Sequence, residues 1–320
     1  MRAGLVRFTL RRAALGLLTL WLLSLVVFAG AQVLPGDVGR AILGPLADAR
    51  AVAALNHQLG VDRPAPVLYA EWVGGMAQGD MGQSLTYRAP VAALLGGALV
   101  NSLKLAGLIL VLVVPLGIGA GVLAALRAGR WQDRLVTVGG LSLAVIPEFV
   151  SAIVLILIFG VWLRWLPLSA SWPAGSGVLI QLQHLLLPAL PLVLVLFGYI
   201  ARLSRAGTIG ALEADYTRTA VLKGLPRRVV LTRHVLRNAL PPTIAAIAAQ
   251  TSYMIGGLVV VETLFHYQGI GSLILTAAKG HDFPMLEAGV LTVGALYIAA
   301  TLVADALTMA LDPRSGPGTT

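Results

Sequence analysis

The sequence predicts an all-α integral membrane protein with six transmembrane helices. Three observations carry this. The 320 residues are 58% hydrophobic and only 12% charged, with a mean hydropathy of +0.86, whereas soluble domains carry about 25% charged residues. Uncharged apolar stretches long enough to cross ~30 Å of hydrocarbon recur along the chain. The net charge of +9 gathers in alternate connections. In a soluble protein that charge would suggest nucleic acid; here it reads as arginine held on one side of a bilayer. The absence of cysteine excludes disulfides, thiol catalysis and Cys-based metal sites.

The first span follows Arg2, Arg7, Arg11 and Arg12 and runs uncharged from Ala13 to Val33. Ala29-Gly30-Ala31 has the look of a signal-peptidase site, but the run exceeds the ~7–15-residue core of a signal peptide. Residues 1–33 therefore read as a cytosolic N-terminus and an uncleaved first helix. Residues 34–100 read as an extracytoplasmic segment. Both signs of charge occur in it, and Pro35, Gly36, Pro64, Pro66, Gly79 and Gly82 are expected to break it into short helices and turns. The apolar run Val91–Val100 is expected to continue a helix at the surface.

Residues 101–311 read as a five-helix membrane core, and 312–320 as a cytosolic tail. The second span is expected over about Ser102–Ala125, with Lys104 snorkelling at its outer end. Gly117, Gly119 and Gly121 imitate a nucleotide-binding glycine signature. No strand precedes them, and small residues at a helix–helix contact explain them better. The third span is expected over Leu135–Trp162, with Pro147 and Glu148 near its middle. A carboxylate at that depth costs ~2.5–3.5 kcal/mol, so Glu148 either lines a pathway or is satisfied by a neighbouring helix at a proline kink. Trp162, Trp165 and Trp172 are expected to form an outer aromatic belt.

The fourth span is expected over His184–Ala201, with Pro188 and Pro191 near its outer end. The fifth is expected from Pro241 or Pro242 to Val261. Ala245, Ala249, Ser252 and Gly256 recur there at helical spacing and are expected to pack within the bundle. Gln250, Ser252 and Glu148 are the candidate pathway-lining residues, against the plainer reading of interhelical hydrogen-bond partners. Residues 262–284 are expected to form an outer loop, and the sixth span to cover Met285–Leu311. With the N-terminus inside, sixteen of the 23 Lys and Arg residues fall inside, which supports two cytoplasmic termini.

Between spans four and five lies the longest basic interruption of the second half, Ala201–Pro242. A helix is expected to end near Lys223 with Gly224 as its stop, and a second to start at Pro226. On charge alone, a solvated loop that only sets topology would account for it.

Motifs for chemistry are missing. None of the lysines, Lys104, Lys223 and Lys279, is followed by Ser or Thr, so no P-loop is present. HExxH and GxSxG are also absent. Of the scattered histidines, His266 and His281 share the 262–284 segment with Glu262 and Asp282, and are expected to be solvated loop residues rather than metal ligands. Nothing in the sequence argues for an enzyme.

Tyr216–Leu225 (YTRTAVLKGL), followed by Arg233–Pro241 (RHVLRNALP), resembles the cytosolic loop of ATP-binding-cassette importer permeases. The resemblance is to the B-type, first permease of the dipeptide/oligopeptide/nickel family. Further matches run in order along the chain: Leu34–Asp37, Leu59–Pro64, Gly79-Asp80 with Gly82 and Ser84, Ile146-Pro147, Leu166-Pro167, Leu187-Pro188, Glu262 with Phe265, Gly269–Gly271, Asp282–Pro284, Asp305 and Asp312–Arg314. Departures are Gln268, Thr301 and Thr308, and the missing glutamate of the loop signature, where Arg218-Thr219-Ala220 stands.

The resemblance implies a type I ABC importer permease fold in a bacterial inner membrane. It implies that loop 202–240 couples to ATPases through Glu213, Asp215, Tyr216, Thr217, Arg218, Thr219, Ala220, Lys223, Gly224, Leu225, Arg233, His234 and Asn238. No cofactor is expected in this chain; ATP and magnesium would be bound by the partners. Those partners would be a second homologous permease, two ATPase subunits or one fused ATPase, and an extracytoplasmic solute-binding protein. Peptides are the implied substrate, with nickel chelates, glutathione or another small solute as the alternative. An ion-coupled secondary carrier would instead show internal repeats and buried acids, and no repeat is visible.

Overall fold

The computed structural model describes residues 2–33, 38–44, 46–59, 62–173 and 175–311. Most of those residues are helical and, apart from one isolated bridge between Gln83 and Pro90, they hold no strand pairing. In chain order the helices are α1 (Arg2–Val33), α2 (Val38–Leu43), α3 (Ala49–Leu59), α4 (Ala65–Ala77) and α5 (Val91–Leu126). Next come α6 (Trp131–Val145) and α7 (Glu148–Trp162), then α8 (Val178–Glu213) and α9 (Asp215–Leu222). The last three are α10 (227–264), α11 (Ile270–Lys279) and α12 (Phe283–Leu311). Among the described residues α1, α5, α8 and α12 are long and apolar enough to cross a membrane, and the number rises to six when α6–α7 and α10 each count as one bent span. That is the all-α, six-span class the composition predicts.

Several expectations need correction. The third span is broken: α6 and α7 meet at 103°. Proline lacks an N–H and drives the residue before it out of the helical region. Ile146 is accordingly extended (ψ 123°), and Pro147 follows at ψ 141°. Each limb measures about 22 Å at 1.5 Å per residue, short of the ~30 Å hydrocarbon core. The fourth helix far exceeds His184–Ala201, running 36 residues from Val178 to Glu213 with Pro188 and Pro191 inside it. The expected outer loop contains helix α11, and Glu262 lies in the last turn of α10. Glu262 and Asp282 are fully buried rather than solvated, while His266 and His281 are exposed. Among the described residues no group of three or more potential ligands could hold a metal.

Two compact units are present, with boundaries inside α1, α5 and α12. The first comprises residues 1–13, 103–267 and 297–320. Its core gathers Leu105, Ile109 and Val113 of α5, Leu187, Leu192 and Ile200 of α8, and Met254, Leu258 and Val261 of α10. Glycines let these helices approach. A Cβ added at Gly117 would lie 2.7 Å from Ile200, and one at Gly121 would run into Ala201 and Ser204. A Cβ at Gly198 would overlap the backbone of Gly140. Two of the three spaced glycines in α5 are thus helix-contact residues, as expected, while Gly119 meets nothing within 4 Å.

The small-residue face expected of α10 is not the face that packs. Ala249 and Gly256 are exposed, and it is Gly257 that lies against Leu192, where a Cβ would come within 2.7 Å. Met254, Leu258 and Val261 set the buried stripe, because volume rather than smallness fills this core. The aromatic belt is also partial. Trp162 and Trp165 are exposed, but Trp172 turns inward onto Tyr267 and His184.

The second unit comprises residues 14–102 and 268–296. Val91 and Leu95 are buried with Ala277, Met285 and Ala288, while Ala92, Ala93, Gly96, Gly97 and Val100 are exposed, so this stretch continues the helix as expected and turns one face into a core. Phe28 stacks on Trp72 and meets Tyr69 edge-on, and the Tyr69 hydroxyl shares a 2.8 Å hydrogen bond with Ser24. The fully buried Asp282 accepts hydrogen bonds from Ser84 Oγ at 2.5 Å and the Thr86 N–H at 3.0 Å. Two motif positions almost two hundred residues apart are thereby joined in one buried knot. His57 and Asp62 pair on the surface at 2.7 Å. That hydrogen bond raises the His57 pKa above its ordinary 6.5 and lowers that of Asp62 below 3.8.

Candidate functional site

The basic stretch after α8 folds as a tight hairpin. Ala214 breaks the helix in an extended conformation (φ −69°, ψ 148°), and α9 starts at Asp215. The end of α9 is a Schellman-type stop: the Leu225 N–H reaches Ala220 O at 3.3 Å and the Gly224 N–H reaches Val221 O at 2.9 Å. Gly224 sits at φ +73°, the left-handed region that glycine enters without a Cβ penalty. Pro226 caps the next helix, which runs from Arg227. The expected helix end near Lys223, the stop at Gly224 and the restart at Pro226 are all observed.

A small core holds the hairpin together. Ala211, Ala220, Val230, Val235 and Ala239 are buried in it. Thr217, also buried, donates from Oγ1 to the Ala211 carbonyl at 2.7 Å, closing the bend across the Ala214 break. A Cβ added at Gly207 would lie 2.5 Å from the Ala239 carbonyl, so α8 and α10 touch at backbone distance here. Through positions three apart, Thr217 and Ala220, α9 turns one narrow stripe inward.

The remaining positions face out. Asp215, Tyr216, Arg218, Thr219, Lys223, Gly224 and Leu225 are exposed, as is Glu213 at the end of α8. Leu222 is 87% exposed, and Val221 and Tyr216 lie beside it in the same short helix. Arg218, Lys223, Arg227 and Arg228 of the same hairpin are exposed as well. Arg233 and Asn238 are exposed on α10 and His234 is half-buried, while Val235 and Ala239 on the same turns point into the small core. Asn238 Nδ2 donates to the His234 carbonyl at 2.7 Å.

The candidate pathway residues lie elsewhere. Glu148 is half-buried in the first turn of α7, directly after the break. Gln250 is half-buried on α10. The Ser252 side chain lies outside the described residues.

One ion pair was not legible as such in the sequence. Asp133 in α6 is 7% exposed and takes Arg205 of α8 at both oxygens, at 2.5 Å from Nε and 2.8 Å from the terminal nitrogen. The Gly129 N–H and Thr137 Oγ1 complete its shell at 2.9 and 3.2 Å. A second pair ties the chain ends of this unit, Arg12 Nε to Asp305 Oδ2 at 3.2 Å. In sequence, Arg205 is one more basic residue in a basic loop, and Asp133 is an acid among arginines; that contrast of sign was the available signal.

Comparison with known proteins places this architecture. Residues 117–316 match the family described as binding-protein-dependent transport system inner membrane component. Residues 5–114 match its N-terminal companion family. The chain is similar to the "Probable peptide ABC transporter permease protein y4tP" of Sinorhizobium fredii (strain NBRC 101917 / NGR234), with 34% identity covering 96% of this chain and 98% of that protein. It is equally similar to the glutathione transport system permease protein GsiC of Escherichia coli (strain K12), with 35% identity covering 93% of this chain and 95% of the relative. The same values hold for GsiC of Shigella dysenteriae serotype 1 (strain Sd197). An all-helical chain with up to six spans, matched over nearly its full length, belongs to the binding-protein-dependent inner-membrane permeases and is a permease subunit of an ATP-binding-cassette importer of the dipeptide/oligopeptide family.

Proposed function

We propose that this permease imports di- or oligopeptides and forms half of a translocation pathway with a second permease of similar fold. Support for the substrate class comes from the peptide permease among its relatives; the glutathione permeases make glutathione, itself a small peptide, the second reading. A solute-binding protein outside would deliver the substrate. Two ATPase domains, on one chain or two, would bind ATP and magnesium, and this chain would hold no cofactor and catalyse no reaction. Both termini would face the cytoplasm, with residues 34–100 outside, 101–311 as the membrane core and 312–320 as the tail. Glu148, Gln250 and Ser252 remain the pathway candidates.

The observation that carries the coupling role is the outward face of α9. Leu222, Val221 and Tyr216 are exposed on a helix whose other side is locked by Thr217 and Ala220. A partner gripping that face in one ATPase state more tightly than in the other would bias two membrane conformations, because a ligand shifts an equilibrium only through differential affinity. The hairpin core would make the grip effective by moving α8 and α10 with α9. Substrate class is tested on the binding protein produced alongside this chain, by measuring which ligands raise its Tm. Peptides should do so. Stabilisation by nickel chelates and not by peptides would refute the substrate assignment and leave the coupling role standing.

A further inference from the structure

The turn that follows α7 and the start of α8 border an open depression of about 430 Å³, lined among others by Gly160, Arg164, Trp165, Leu168, Gln183 and His184. Two of its polar groups are donors, the Arg164 guanidinium and the Gln183 amide, while the His184 imidazole spends its Nδ1 proton within the chain. No carboxylate is among the described lining residues. His184 is fixed in place, with Nδ1 at 2.8 Å from the Ser169 carbonyl. A carbonyl only accepts, so Nδ1 carries the proton.

Arg164 itself is unusual. Its φ is +55°, a left-handed conformation that glycine adopts more readily. The turn is held by the Leu163 N–H on Ile158 O at 2.8 Å and the Trp165 N–H on Phe159 O at 2.9 Å. A long cationic side chain stands where the backbone would favour glycine, and such an outlier in the wall of a depression points to a use for the side chain.

The surroundings give the level of the depression. Trp162 is 79% and Trp165 66% exposed, and exposed tryptophans on a membrane protein mark the headgroup boundary. Leading away from them, α7 leaves Ile153, Leu157 and Val161 exposed at four-residue spacing, an apolar stripe of the kind that faces acyl chains. The cationic depression thus sits at the tryptophan-bearing end of the helix that carries this stripe.

We propose that this depression holds the headgroup of an anionic phospholipid. Its phosphate takes the forked donors of Arg164 and the amide of Gln183, and one acyl chain lies along Ile153, Leu157 and Val161. A zwitterionic peptide fits less well, because its ammonium group would find no carboxylate in these walls. A free inorganic anion would leave the apolar stripe unused.

The test uses the purified transporter complex in detergent, titrated with phosphatidylglycerol or phosphatidylcholine and read by native mass spectrometry. A saturable phosphatidylglycerol site is expected, weakened at least about tenfold in Arg164→Gln, the loss of a charge-assisted hydrogen bond to phosphate. Arg164→Gly removes the guanidinium while relieving the left-handed backbone, so it should retain the wild-type Tm and still lose the lipid. Inorganic phosphate at millimolar concentration should not displace the lipid. Unchanged phosphatidylglycerol binding in a folded Arg164→Gly complex would overturn the proposal. Equal binding of phosphatidylcholine, or full displacement by inorganic phosphate, would do so as well, the latter making this a plain anion site.

Discussion

Asp133 and Arg205 form a two-pronged ion pair between α6 and α8, with the carboxylate almost fully buried and also bound by the Gly129 N–H and Thr137. The turn that starts the broken third span is thereby anchored to the long helix that carries the α9 hairpin. Removing one partner of a fully buried pair costs ~3–5 kcal/mol, because the other charge is left uncompensated. Arg205 is about a quarter exposed, so solvent offsets part of that loss. Asp133→Ala is therefore expected to destabilise the purified protein by roughly 2–3 kcal/mol, read as a lowered Tm. Asp133→Ala combined with Arg205→Ala should cost less than the sum of the single changes. Additive effects would show that the two residues do not work as a pair.

Glycine contacts make a second, contrasting prediction. A side chain at Gly198 would enter the backbone of Gly140, and nothing nearby is a flexible side-chain end able to give way. Gly198→Val should abolish accumulation of folded protein. Gly119→Val, where nothing lies within 4 Å, should accumulate normally. Membrane yield and size-exclusion profiles of the two variants check this, and equal behaviour would contradict the packing described for α6 against α8.

The paired His57 and Asp62 give a pH signature. The His57 pKa is raised by the hydrogen bond and charge of Asp62, so the stabilisation this residue contributes is fully present below 6.5 and is lost as pH rises through the raised value. The Asp62 pKa is lowered, so its contribution is present above 3.8 and is lost as pH falls through the lowered value. The pair is therefore most effective between the two ordinary values. In the titration of His57 imidazole resonances, an apparent pKa above 6.5 is expected in the wild type, falling back toward 6.5 in Asp62→Asn. A His57 pKa unaffected by Asp62→Asn would contradict the pairing.

Much of this architecture is legible in the residues, for reasons that can be named. Span existence follows from apolar length, and the α9 hairpin follows from Gly224 and Pro226, whose backbone preferences are local and strong. What sequence reasoning misplaced depends on partners distant in the chain. Pro147 signals an interruption, but not that the limbs turn by 103°, because the bend depends on what each limb packs against. The spacing of Ala245, Ala249 and Gly256 suggests a packing face. The actual face, with Met254, Leu258 and Val261, is set by the volume left between α5, α8 and α10. The Ser84–Asp282 knot follows the same pattern: both positions belong to ordered motif matches, and their hydrogen bond is visible only after folding.

The proposed coupling role puts the entry of ATP-driven motion at the exposed face of α9. Its most direct test is ATP-driven uptake into proteoliposomes by the complete transporter carrying a deletion of Tyr216 to Leu225, with membrane insertion of the permease verified in the same preparation. Loss of uptake with the spans still inserted is expected, and a partial loss at unchanged Tm for Leu222→Ser, whose side chain is 87% exposed. Uptake at the normal rate by the inserted deletion variant would contradict it.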